Sequence, residues 1–180
     1  MYDRAHARPH RPLPRVCAVG TVGSLLAAVL LTLVSTPASA RPRGHDGVES
    51  RVVSLINVHR ADAGLAPMRA SRRLAHAADA HSRDMARRGF FAHSSSSGLG
   101  FAARVRRFAS AAYFGENLAY VPHAQPGGQA ESVVGMWMRS PPHRAAILSS
   151  AFGRVGVARR SGRIGRVRAT VFTADFASRR

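Results

Sequence analysis

Residues 55–95, LINVHRADAGLAPMRASRRLAHAADAHSRDMARRGFFAHSS, read as most of two amphipathic helices with a turn between them and a loop after them. Val48, Val52, Leu55, Ile56 and His59 recur at helical spacing, which predicts a first helix with Asp46 as its N-cap. Gly64 stops that helix and Pro67 lies just beyond it. Ser71 then caps a second helix whose inward stripe is Leu74, Ala78, His81 and Met85. Arg72, Arg73, Asp79, Arg83, Asp84 and Arg87 take its outer faces, and Gly89 closes it. Asp79 and Arg83 stand four residues apart, a pair worth only about 0.2–0.5 kcal/mol.

Toward the C-terminus, Phe90, Phe91 and His93 lead into the polar loop Ser94-Ser95-Ser96-Ser97-Gly98. Phe101, Val105 and Phe108 predict a short third helix, and residues 113–121 read as extended. Pro and Gly mark residues 122–128 as a surface loop. Val133, Val134, Trp137 and Met138 form the inward face of another helix. Ser140-Pro141-Pro142 is an N-cap followed by proline in the first turn, which starts a short helix to Leu148. The period then changes. Val155 and Val157 alternate, residues 162–165 supply a turn, and Val167, Ala169, Val171 and Thr173 alternate up to Phe176. This predicts a hairpin with one solvated face. Helices first and strands late give an α+β class, with helices packed on a small antiparallel sheet.

Toward the N-terminus, Arg4, Arg8, Arg11 and Arg15 precede an uncharged stretch, residues 16–34, and Ala38-Ser39-Ala40 fits a signal-peptidase site. Residues 1–40 are therefore expected to be a secretory signal peptide, residues 41–47 a short tether, and residues 48–178 one domain of a secreted, extracellular protein. Cleavage after Ala40 would remove Cys17, the one cysteine, and with it any disulfide scaffold. No transmembrane segment is expected in the mature chain. All 27 basic residues are arginine. Loss of the leader would leave 23 arginines against 8 acidic residues, a net +15. Such a charge attracts acidic lipids, anionic cell-envelope polymers or nucleic acid, or simply aids solubility.

The domain carries no HExxH, nucleophile elbow, Walker loop or cysteine-based zinc motif. His59 and His81 lie in apolar helical stripes and read as hydrogen-bonded core histidines. His93 and His143 differ, one leaving an aromatic pair for a loop and the other in the first turn of a proline-started helix. Glu116 sits between them in an apolar extended segment, where a carboxylate must be solvated, paired or hydrogen-bonded. His93, His143 and Glu116, if convergent, would hold Zn²⁺ with an open position for water, or equally form a hydrogen-bond network between loops.

Three blocks in order carry a family resemblance: residues 55–95, then GENLAYV (115–121), then WMRSPPHRAAIL (137–148) with FGRVGVA after it. VFTADFA near the end agrees as well. Together they resemble bacterial SCP-like extracellular proteins of the CAP superfamily, which includes cysteine-rich secretory, antigen 5 and pathogenesis-related proteins. The resemblance covers residues 48–176. It implies an α–β–α sandwich, with a small antiparallel sheet between helical layers. It also implies a cleft holding two histidines and two glutamates, onto which His93, Glu116 and His143 map. The second glutamate falls at Ser140, which reads as a helix cap. Asn117 is expected to hydrogen-bond backbone near the cleft. The functional expectation is a non-catalytic binding module, outside the cell or at its envelope, for a lipid or another small anionic ligand. The alternative is a zinc-assisted hydrolase using His93, Glu116 and His143. A nucleic-acid binder has only the charge in its favour.

Overall fold

A computed structural model describes residues 47–123 and 128–179; the leader expected at residues 1–40 and most of the tether expected at residues 41–47 lie outside them. Nine elements follow in order among the described residues. They are α1 (Val48–Asp62), β1 (Arg69–Ala70), α2 (Arg72–Arg88), α3 (Phe101–Arg106), β2 (Phe114–Pro122), α4 (Gln129–Arg139), α5 (Pro141–Ile147), β3 (Phe152–Ile164) and β4 (Val167–Ser178). The strands form one sheet in the order β1-β3-β4-β2. β2–β4 and β3–β4 are antiparallel, and the two-residue β1 pairs with β3 in parallel.

Helices cover both faces. On one side α1, α4 and α5 enclose a core of Val52, Ile56, Trp137, Ile147, Phe172 and Phe176, among others. Each of these side chains, fully buried, contributes about 1.5–3 kcal/mol. On the other side α2 and α3 pack through Leu74, Ala77, Met85 and Val105 against Leu118, Val171 and Ala177. This is the expected α–β–α sandwich.

The second layer corrects the expectation of a hairpin with a solvated face, because every residue of β4 from Ala169 to Ser178 is buried. The face that packs under α2 carries small residues that read as neutral in sequence. Gly156 and Gly162 of β3 explain how close the helix comes. A Cβ at Gly156 would overlap the backbone of Leu74 and Ala75, and one at Gly162 the backbone of Ala86. α2 therefore lies along β3 with its C-terminal end beside the β3–β4 turn, where the Gly165 N–H donates to the Gly89 carbonyl at 2.9 Å. That turn is Gly165-Arg166, tighter and later than the 162–165 turn expected.

Local signals in α2 hold. Ser71 Oγ accepts from the Leu74 N–H at 3.5 Å, and Gly89 ends the helix at φ 75°. α1 departs from its expectation. Its N-cap is Gly47, with no side-chain hydrogen bond, rather than Asp46. Arg60 is the buried polar residue of α1 in place of His59, which is half-buried. The Arg60 guanidinium donates to the carbonyls of Ala66, Ile147, Ser149 and Phe152, tying α1 to the α5–β3 connection.

Candidate functional site

The period-2 geometry of β2 distributes the GEN block across the sheet. Glu116 and Leu118 face the α2–α3 layer, while Asn117, Ala119 and Val121 face α4 and α5. β2 pairs with β4 alone, so it forms one edge of the sheet, where both layers meet. His93 arrives in the loop that follows α2, and His143 in the first turn of α5.

His93 Nδ1 donates to Glu116 Oε1 at 2.8 Å, and its ring is largely exposed. The Glu116 side chain is 1 % exposed, so the carboxylate lies inside the protein while the imidazole reaches out of it. The other carboxylate oxygen accepts from Arg104 of α3, itself almost buried. Across the β2–β4 ladder Glu116 stands opposite Asp175, which is fully buried, with a carboxylate oxygen 3.8 Å from Arg104. Burial pushes the Asp175 carboxyl well above the usual carboxylate range, and the neighbouring Glu116 charge pushes it the same way. Asp175 thus brings a second carboxyl group, whose charged form burial disfavours, beside the Glu116–Arg104 pair, and neither of its oxygens has a hydrogen-bond partner among the described residues. His81 lines the same layer, its Nε2 bonded to the Ala92 carbonyl at 2.9 Å, as expected of a core histidine. Burial holds its imidazole below the usual value, with Arg104 adding to the effect.

On the other side His143 Nδ1 is 2.8 Å from Ser140 Oγ. Ser140 does occupy the N-cap of α5, with Pro141 after it, but its hydroxyl makes no capping bond. The expected cap is thus a histidine-orienting group. Asn117 Nδ2 donates to the His143 carbonyl at 3.0 Å, the backbone bond expected of it. Burial lowers the His143 pKa, and the nearby His93 lowers it further. The two imidazoles therefore sense each other across the edge of β2. With each Nδ1 taken, Nε2 is the ring nitrogen left to meet a ligand.

The resemblance implies zinc here, and the donor set does not fit it. Both Glu116 oxygens are committed, and among the described residues no three His, Cys, Asp or Glu side chains form a group able to hold a metal. A catalytic zinc takes three protein ligands, and two imidazoles fall short of that. Of the two arrangements left open by the sequence, the contacts are those of a hydrogen-bond network: His93 goes to Glu116, and His143 to Ser140. Arg104 and Asp175 were absent from the sequence-derived set. A signal existed for Asp175, a lone acid in the apolar run of β4.

The sequence model of the cysteine-rich secretory protein family, CAP, matches residues 53–176. The chain belongs to this family. Its CAP domain is 34% identical over 122 residues to the uncharacterised protein YkwD of Bacillus subtilis. That match takes in 66% of this chain and 45% of the relative, so the chain spans less than half of that protein. Among solved structures, an extracellular protein with an SCP domain from Bacillus anthracis superposes with a TM-score of 0.62 at 23% identity, over 74% of this chain and 41% of that one. An outer surface protein of Borrelia burgdorferi gives 0.63 at 19%, over 74% and 93%. At these identities the likeness establishes the CAP fold. Among the described residues no helix is long and apolar enough to cross a membrane.

Proposed function

We propose that this CAP domain is a non-catalytic binding module, exported by the leader expected at residues 1–40 and acting outside the cell or at its envelope. The observation that carries this reading is the commitment of Glu116. A general base must be free to take a proton from a substrate or a water, and a ligand carboxylate must have a lone pair for its metal. Glu116 is buried, ion-paired to Arg104 and hydrogen-bonded to His93. It serves to hold and orient the imidazole.

What remains for a ligand is a pair of oriented imidazole Nε2 atoms at the rim of an arginine-rich domain. That supports a small ligand with an anionic or hydrogen-bonding group, a lipid headgroup among them. The extracellular SCP protein and the outer surface protein with the same fold support a place outside the cell. Isothermal titration with short-chain anionic lipids and soluble wall fragments tests the reading. Saturable binding weakened at least tenfold by His93→Ala or His143→Ala is expected. Zinc-dependent hydrolysis of any substrate, lost in the same variants, would overturn it.

A further inference from the structure

We infer that the end of the domain formed by the β3–β4 turn and the C-terminus of α2 is a docking surface for an anionic lipid bilayer. The inference goes beyond the histidine site and does not rest on it.

Three exposed apolar side chains lie toward this end. Val167 starts β4 directly after the turn and is 43% exposed. Phe91, two residues past the end of α2 at Gly89, is 40% exposed, and Tyr120 near the end of β2 is 38% exposed. The Phe91 and Tyr120 rings pack edge to face, with centroids 5.2 Å apart. The hydrogen bond from Gly165 to Gly89 clamps the turn to the helix terminus. Tyr120 pairs with Val171, and the His123 N–H donates to the Arg168 carbonyl, so the end of β2 lies beside the same stretch of β4.

The charged side chains that flank the turn in sequence are of one sign. Arg87, Arg163, Arg166 and Arg168 are all exposed, and none takes part in an ion pair among the described residues. The acids of α2 are already used: Asp79 pairs with Arg83 and Arg160, and Asp84 with Arg88. Asp84 also accepts from the Ser96 N–H and hydroxyl.

This combination selects one partner. A soluble polyanion would engage the arginines and leave the apolar side chains in water. Single-stranded nucleic acid is held by a series of aromatic side chains along a basic groove, whereas here two rings pack against each other. A lipid interface offers phosphates to the guanidinium groups. It also offers a headgroup–acyl boundary where aromatic side chains settle.

The test is co-sedimentation of the full chain with phosphatidylcholine vesicles and with mixed phosphatidylcholine–phosphatidylglycerol vesicles at physiological salt. Binding to the mixed vesicles should fall on the order of a hundredfold in R163Q/R166Q/R168Q, at about fivefold per arginine. Phe91→Ser with Val167→Ser should weaken it on the order of tenfold through lost apolar contact. The matched variant R69Q/R72Q/R73Q removes three exposed arginines at the opposite end of α2 and should change binding by less than about threefold. Equal losses from both arginine triples would reduce the effect to net charge and overturn the proposal. So would absence of selectivity for the anionic vesicles, indifference to the Phe91/Val167 variant, or tighter binding to heparin or single-stranded DNA than to vesicles.

Discussion

Replacing Arg104 with methionine should be among the most damaging single changes in this domain. Methionine keeps much of the side-chain length while removing the charge that faces Glu116. The Arg104 and Glu116 side chains are 7% and 1% exposed, so water cannot take over the missing role. Breaking a buried ion pair by deleting one partner costs about 3–5 kcal/mol, because the other charge stays behind uncompensated. A domain of this size has about 5–15 kcal/mol in total. With an m-value of about 2 kcal/mol/M, the urea midpoint should fall by roughly 2 M. Far-UV circular dichroism during urea titration reads this directly. Adding Glu116→Gln to Arg104→Met should recover at least half of the loss, because the stranded charge is then gone. A loss under about 1 kcal/mol, or a double variant no better than the single one, would refute the buried-pair account.

Asp175→Asn tests the raised Asp175 carboxyl. With its folded pKa above its unfolded value, Asp175 gives the native state stability that is full below the unfolded pKa and lost as pH rises through the folded pKa. The amide cannot titrate, so the variant should gain on the wild type as pH rises from about 4 to 7; parallel urea midpoints across that range would count against it. Gly156→Ala should destabilise by about 3 kcal/mol or leave the domain unfolded, since its Cβ would meet the backbone of Leu74 and Ala75; thermal denaturation reads this, and an unchanged Tm would mean that α2 is not seated there. His93→Ala should raise the His143 pKa by relieving a nearby positive charge, as followed by NMR titration of the ring protons. An unmoved His143 would mean that the two histidines do not face one opening.

Much of the fold was legible because its signals are local. The stripe of α2, Ser71 before it and Gly89 after it are all read at helical spacing, and the structure keeps them. The hairpin was legible as strands but not in its surroundings. Thr173 and Ala177 alternate with Phe172 and Phe176, and such small or polar residues suggest a wet face. They are buried because α2 lies so close, with Ser82 Oγ bonding Thr173 Oγ1 at 2.8 Å to satisfy both hydroxyls. The site was legible residue by residue but not in its pairings. His93, Glu116 and His143 were found, yet Arg104 sits in a short helix where an arginine reads as outward-facing. Its burial depends on Glu116, a contact between residues 12 positions apart that no periodicity reports. Ser140 illustrates the same limit: its position marks a helix start, and only three dimensions turn its hydroxyl to His143.

The two glycines beneath α2 bear on how this domain can vary. Where a helix rests on side chains, a larger residue on one surface can be matched by a smaller one on the other, and the spacing drifts as sequences diverge. At Gly156 and Gly162 the spacing is set by main-chain atoms, which no exchange of side chains can shorten or extend. The layer that carries Arg104 and the loop bearing His93 is thereby held at a fixed height above β2 and β4. The outer surfaces can change their chemistry freely while the register between imidazole and carboxylate stays the same.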